Sequence, residues 1–210
     1  MISDDKKAFF VAIPKNASTT ITGYLSKNGF RHPNGKHSMY CSYAPRLGTD
    51  VRFRKYYSFC FVRNTWARLL SEYNFQKRYS KYWFKRTGLR LSDMSFPEFV
   101  KTFVKEGKPF SNHIPPRNSY DMDWGQLQFI NKDVGKGKVN CGVSFVGRVE
   151  NLQGDMERVC DRLNMEPIKF PTKNRTKHKH YTEVYDDESR KIVANLYSEE
   201  IEYFNFSYEQ

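Results

Sequence analysis

The chain has 210 residues and a formal net charge of +12. That length suits one domain with a sizeable core, and 17 Phe and 14 Tyr supply bulky material to fill it. The charge calls for an anionic partner or ligand; no apolar run is long enough to span a membrane, and no cysteine or histidine cluster has zinc spacing, so no metal is expected.

Residues 7–13 (KAFFVAI) form a short continuous apolar run that stops at Pro14, the signature of a strand buried on both faces. The small-residue stretch 16–20 (NASTT) follows, and Ile21, Tyr24 and Leu25 then recur at helical spacing. The opening unit is thus predicted as strand, tight loop, helix. Residues 28–50 lack a period and read as a loop-rich excursion. Residues 56–62 (YYSFCFV) predict a second buried strand, followed at once by Arg63 and Asn64. Trp66, Leu69, Leu70 and Tyr73 then mark the apolar stripe of a helix. Residues 95–98 (SFPE) have capping-box spacing and open a third helix carrying Phe96, Phe99, Val100 and Phe103. Loop composition is expected over 107–123 and a turn over 135–138. A third strand is predicted over 143–147, a helix on Leu152, Met156, Val159, Cys160 and Leu163, and a basic loop over 166–182. A final helix is predicted from about Asp187 to Phe204. Strands alternating with helices predict an α/β fold around a parallel sheet, in a single domain spanning 1–210.

Cys60 and Cys160 lie in apolar surroundings, and the four cysteines include no CxxC pair. Buried thiols and a reducing, cytoplasmic setting are expected, since no secretory signal precedes the first strand.

Two places carry the chemistry. A buried strand that ends in a small-residue loop and opens a helix points successive backbone N–H groups, and the positive end of the helix, at one spot, which favours an anion. Here Lys15 adds a full charge, and Ser18, Thr19 and Thr20 add hydroxyls to the backbone groups of Asn16 and Ala17. The GxxxxGK[ST] pattern of nucleotide triphosphatases is absent, and the loop contains no glycine. An ordinary turn capped by Ser18 is the competing reading. The second place is Arg63, just beyond the second strand, where ligands of open α/β sheets bind. Ser71 follows eight residues later on the helix. An arginine's planar fork suits phosphate. Arg68 reads either as a contributor or as a surface charge.

Residues 14–20 (PKNASTT) resemble the 5′-phosphosulfate loop of sulfotransferases. Residues 61–71 (FVRNTWARLLS) resemble their 3′-phosphate motif, with Thr65 where proline is usual. Residues 145–152 (FVGRVENL) and the Tyr-rich stretch 181–208 are similar to further segments of the carbohydrate branch, which includes 2-O- and chondroitin-type enzymes of the Golgi. The resemblance implies a three-layer, P-loop nucleotide-kinase-like fold with helices flanking the parallel sheet. It implies the donor 3′-phosphoadenosine 5′-phosphosulfate, leaving adenosine 3′,5′-bisphosphate, and a hydroxyl acceptor of carbohydrate type. It assigns donor contacts to Lys15, Asn16, Ala17, Ser18, Thr19, Thr20, Arg63 and Ser71, and to Lys177 in the basic loop 173–180. Lys15 would neutralise charge on the bridging oxygen.

A base for the hydroxyl proton is expected to be a histidine, from among His32, His37, His113, His178 and His180. His37 resembles the loop histidine that serves in this branch. His113 is a candidate on the acceptor side, and His178 and His180 fall in the basic loop. Two other readings stand beside the enzyme: a P-loop nucleotide kinase, and a non-catalytic binder of polyanions. Nucleic acid is not the expected partner.

Overall fold

The structure, a computed structural model, describes residues 1–32, 55–79, 81, 84–85, 88–106, 125–131, 141–167, 169–170 and 179–209. They fall into two compact units: residues 1–63 with 126–174, and 64–125 with 175–210.

The first unit is a mixed α/β layer structure. Its sheet has four strands in the order β1 (Ile2–Ser3), β2 (Ala8–Val11), β3 (Tyr57–Val62) and β4 (Phe145–Arg148). β1 is antiparallel to β2, while β2, β3 and β4 run parallel, with Phe10 opposite Phe59 and Phe59 opposite Phe145. The three parallel strands are those predicted from the sequence. β1 was not foreseen, because two residues are too few to show a period. All four residues of β2 are buried, as expected for a parallel strand covered on both faces.

Alternation divides the strands between two faces. Ala8, Phe10, Phe59, Phe61 and Phe145 point to one side. There they meet Ile21, Tyr24 and Leu25 of α1 (Ser18–Lys27) and Met156, Val159, Cys160 and Leu163 of the helix Leu152–Leu163. Phe10 and Phe59 lie with ring centroids 5.2 Å apart. Cys60 is fully buried on the opposite side, and burial pushes its thiol pKa well up, so it stays protonated and packs as a small apolar group. Cys160 is also a buried thiol, within hydrogen-bonding reach of the Tyr24 hydroxyl at 3.3 Å.

Gly147 explains how β4 sits so close to β3. A Cβ at this position would lie 2.6 Å from Cε1 of the Phe61 ring, itself buried to 1% exposure. The ring cannot withdraw without disturbing the core. Gly147→Ala is therefore expected to destabilise the protein by about 1–3 kcal/mol, the usual cost of overpacking. Chemical denaturation measures it, and an unchanged midpoint would show that the ring has room to move.

The second unit opens with α2 (Thr65–Gln76). Asn64 caps it, its Oδ1 accepting from the backbone N–H groups of Trp66 and Ala67. Trp66, Leu69, Leu70 and Tyr73 are buried as the stripe predicts. Thr65, the departure from proline, is 2% exposed, and its hydroxyl donates to Glu200 Oε1 at 2.7 Å. Arg68 is no surface charge: it is 2% exposed, one turn from the equally buried Glu72, whose Oε1 accepts from Gln76 Nε2.

The capping box at Ser95 and Glu98 forms as predicted and starts α3 (Phe96–Phe99). The helix then widens into a π-helical turn over Val100–Val104, which keeps Phe99, Val100 and Phe103 buried. The C-terminal helix was predicted as one piece and is two. Tyr197 leaves helical geometry at φ −115°, ψ 25°, between the segments Asp187–Leu196 and Ser198–Tyr203. The break lets Glu200, 1% exposed, meet Thr65. Tyr185 is half-buried against Phe96 and Tyr208, and its hydroxyl donates to the Trp66 carbonyl.

In chain order the remaining helices are α4 (Gln126–Ile130), α5 (Leu152–Leu163), α6 (Asp187–Leu196) and α7 (Ser198–Tyr203). α4 was not read from the sequence. The loops predicted over 107–123 and 135–138 lie outside the described residues, as does most of the excursion over 28–50.

Candidate functional site

The turn between β2 and α1 is built from left-handed residues that are not glycine. Lys15 has φ 68° and Ala17 φ 56°, while Asn16 between them is not in the positive-φ region. Such alternation of sign along the backbone turns successive N–H groups toward one side, the geometry of an anion-binding nest. A left-handed L-residue costs about 1–2 kcal/mol. Two of them in three residues mean that the surrounding fold holds this turn in place.

Ala17 is the N-cap of α1, and having no side-chain oxygen it does not cap the helix. The competing expectation, a turn capped by Ser18, is therefore not what forms: Ser18 is already the first helical residue. The first turn of α1 contains no acidic residue, and its basic residue, Lys27, lies in the last turn. α2, α3 and α6 differ, each carrying a side-chain cap from Asn64, Ser95 or Asp186. The start of α1 thus keeps its positive end clear of competing side-chain acceptors from the cap position. Lys15, Ala17 and Thr20 are half-buried and Thr19 is exposed, whereas Asn16 and Ser18 are buried.

Asn16 is held by its side chain. Its Nδ2 donates to the Phe61 carbonyl at 2.8 Å and to Gln126 Oε1 at 2.6 Å. Two acceptors on one atom fix which end of the amide is nitrogen. Both amide protons are thereby used. The buried Oδ1, which has no hydrogen-bond partner among the described residues, can only accept, so it is no ligand for an anion. Any contact from Asn16 to an anion comes through its backbone.

Arg63 follows β3 directly, and its main chain is pinned on both sides. Its N–H donates to Gln126 Oε1 at 2.7 Å, and its carbonyl accepts from Gln126 Nε2 at 2.8 Å. The side chain is half-exposed. The first unit therefore gathers Lys15–Thr20 and Arg63 at the C-terminal ends of adjacent parallel strands β2 and β3, tied together through Gln126. An electropositive turn at a strand end and an arginine at the next strand end can bind an anionic ligand and neutralise charge on it.

A model of the sulfotransferase family (Sulfotransfer_2) matches residues 1–207. The chain belongs to the sulfotransferase family. It is also 27% identical over 121 residues to an uncharacterized protein of Archaeoglobus fulgidus, covering 57% of this chain and 77% of that one. No solved structure matches it.

Sulfotransferases transfer a sulfuryl group to a hydroxyl-bearing acceptor and generally use 3′-phosphoadenosine 5′-phosphosulfate as donor. The other residues assigned from the sequence are distributed as follows. Ser71 is half-buried on α2, in the second unit. His37, His113, His178 and Lys177 lie outside the described residues. His180 caps the short 3₁₀ turn Tyr181–Glu183, with its Nδ1 2.7 Å from the Thr182 hydroxyl and its ring 4.4 Å from that of Tyr181. His32 is exposed.

Asp155, buried to 7% exposure, organises the segment after β4: it accepts from the Arg148 N–H and from Asn151 Nδ2. Among the described residues no group of His, Cys, Asp and Glu is placed to hold a metal ion, and no helix is long and apolar enough to cross a membrane. Gln126 is the site residue that sequence reasoning missed. It belongs to no motif, and its partners are 110 and 63 residues away in the chain.

Proposed function

We propose that this sulfotransferase moves a sulfuryl group from 3′-phosphoadenosine 5′-phosphosulfate to a hydroxyl acceptor of carbohydrate type, with His37 as base. The observation that carries the reading is the β2–α1 turn, where alternating left-handed residues, an uncapped helix start and Lys15 coincide within six residues, 15–20. This set suits the 5′-phosphosulfate end of the donor: it offers donors and positive charge, and the first helical turn adds no acid to oppose them. The motif spacing of Arg63 and Ser71 supplies the 3′-phosphate contacts, and Lys177 joins from the basic loop. In this reading the 5′-phosphosulfate turn stands in a P-loop nucleotide-kinase-like, three-layer arrangement. On the same reading one domain takes in both compact units, which the extent of the family match over residues 1–207 supports.

The acceptor oxygen attacks sulfur as the bond from sulfur to the bridging phosphate oxygen breaks. His37 takes the hydroxyl proton, and Lys15 neutralises charge gathering on the bridging oxygen. Adenosine 3′,5′-bisphosphate leaves. The carbohydrate preference rests on the likeness of residues 145–152 and 181–208 to that branch, and a cytoplasmic setting on the sequence alone.

The test is transfer of labelled sulfate from donor to panels of sugar, lipid and phenol acceptors, for wild type and His37→Ala. The expected result is transfer to sugars and a loss of about 10²–10⁴-fold in kcat for the variant, the usual contribution of a general base. Transfer to phenols or lipids alone would overturn the acceptor class. Full activity of His37→Ala would overturn the base.

A further inference from the structure

We infer that Gln126 is a positioning residue for sulfuryl transfer, one carboxamide that fixes the phosphosulfate turn and Arg63 in a common frame. The inference rests on the donor reading above.

Gln126 has no solvent exposure, and its amide makes at least three hydrogen bonds. Its Oε1 accepts from Asn16 Nδ2 at 2.6 Å and from the Arg63 N–H at 2.7 Å, and its Nε2 donates to the Arg63 carbonyl at 2.8 Å. Asn16 Nδ2 also donates to the Phe61 carbonyl at 2.8 Å. The result is a closed chain: the main chain of β3 at Phe61, the Asn16 amide, the Gln126 amide, and the main chain again at Arg63. Gln126 reads both polar groups of the Arg63 peptide, as a neighbouring strand would. It does so one residue beyond the last β3–β4 pair, Val62 with Arg148.

The consequence falls on the donor end of the site. The turn around Asn16 holds two left-handed residues, Lys15 and Ala17, that the backbone does not favour on its own. A side chain that fixes the middle residue of that turn sets the direction of the N–H groups on either side. The same side chain sets where the Arg63 Cα stands, and hence where its guanidinium starts. Both placements come from one buried group, so they change together. Binding and transfer depend on such placement steeply: a misplacement of about 1 Å costs roughly 10²-fold in rate. Any buried glutamine needs partners for its amide; here those partners are the two segments that carry the site, the Asn16 side chain and the Arg63 main chain.

The experiment compares wild type, Gln126→Leu and Gln126→Glu in full-length protein. It measures the Kd of adenosine 3′,5′-bisphosphate, and donor KM, acceptor KM and kcat per folded molecule. Leucine keeps the bulk and removes every hydrogen bond. Glutamate keeps the shape but, when ionised, sets an oxygen against the Arg63 carbonyl. When protonated it again offers one acceptor and one donor, as the amide does. Expected for Gln126→Leu is a rise of about 10-fold or more in the nucleotide Kd and donor KM and a kcat drop of about 10–100-fold, with acceptor KM within 2-fold.

For Gln126→Glu, nucleotide affinity relative to wild type should recover as pH falls and the buried carboxyl takes up its proton. This recovery still decides the matter if the leucine variant does not fold. Kinetic constants within 2-fold of wild type in Gln126→Leu, or no relative recovery with pH in Gln126→Glu, would overturn the inference. Failure of wild type to bind the nucleotide or transfer sulfate would instead overturn the donor reading on which it rests.

Discussion

Lys15→Ala is expected to lower kcat by about 10²–10³-fold, the loss seen when one preorganised donor to a developing negative charge is removed. Lys15 sits at the head of the turn, half-buried, at φ 68°. Its backbone conformation is as demanding for alanine as for lysine, so the substitution removes the ammonium and leaves the turn in place. A charge that matters most as the bridging oxygen becomes anionic affects kcat more than ground-state binding. The nucleotide Kd should therefore change by less than about 10-fold while kcat collapses. Single-turnover measurement separates the two. A variant with wild-type kcat would remove Lys15 from the chemistry.

The second large effect is on binding. Arg63→Ala should weaken adenosine 3′,5′-bisphosphate by about 100-fold, which corresponds to roughly 3 kcal/mol for a bidentate, charge-assisted contact. Thermal denaturation reads this without an acceptor. With nucleotide at 100 times its Kd, wild type gains about 2.7 kcal/mol, and a 100-fold weaker variant at the same concentration gains only about 0.4 kcal/mol. The thermal shift should almost vanish, and it should not require magnesium. The Arg63 main chain is held by Gln126 whatever its side chain, so the unliganded variant should melt close to wild type. A full shift in Arg63→Ala would place the 3′-phosphate elsewhere. Magnesium-dependent turnover of ATP would revive the kinase alternative, and polyanion binding with a steep salt dependence but no nucleotide binding would favour the non-catalytic one.

The sequence discloses those parts of the fold that come from local, repeated apolar patterns. β2 is an unbroken apolar run, β3 is apolar apart from Ser58, and α1, α2 and α5 carry stripes at helical spacing, so the pattern places each within a few residues. The capping box at Ser95 is legible because its partners are three residues apart. What is illegible depends on distant partners or on very short elements. β1 exists because Ile2 pairs with Phe9 and bridges Arg31. The break at Tyr197 is invisible in a pattern whose apolar positions run past it.

In the site, the small-residue loop and the arginine after β3 announced themselves by composition and place. The division of labour within the loop did not. Asn16 has a donor side chain by type, yet the fold uses both its protons, and only the pairing with Phe61 and Gln126 reveals this. Ser18 looked like the cap by type, yet the chain turns one residue earlier, at Ala17.

That turn at Ala17 has a consequence for how the protein loses activity on heating. Glycine would hold the left-handed shape by its own preference; alanine and lysine hold it only while the core beneath stays closed. The turn therefore behaves as a latch kept shut by its frame, ordered before any ligand arrives and so exempt from an ordering cost at binding. When the frame slackens, the latch is among the first parts to relax. Nucleotide affinity should fade below the melting temperature, and bound nucleotide should protect the amides of residues 15–20 from hydrogen exchange first.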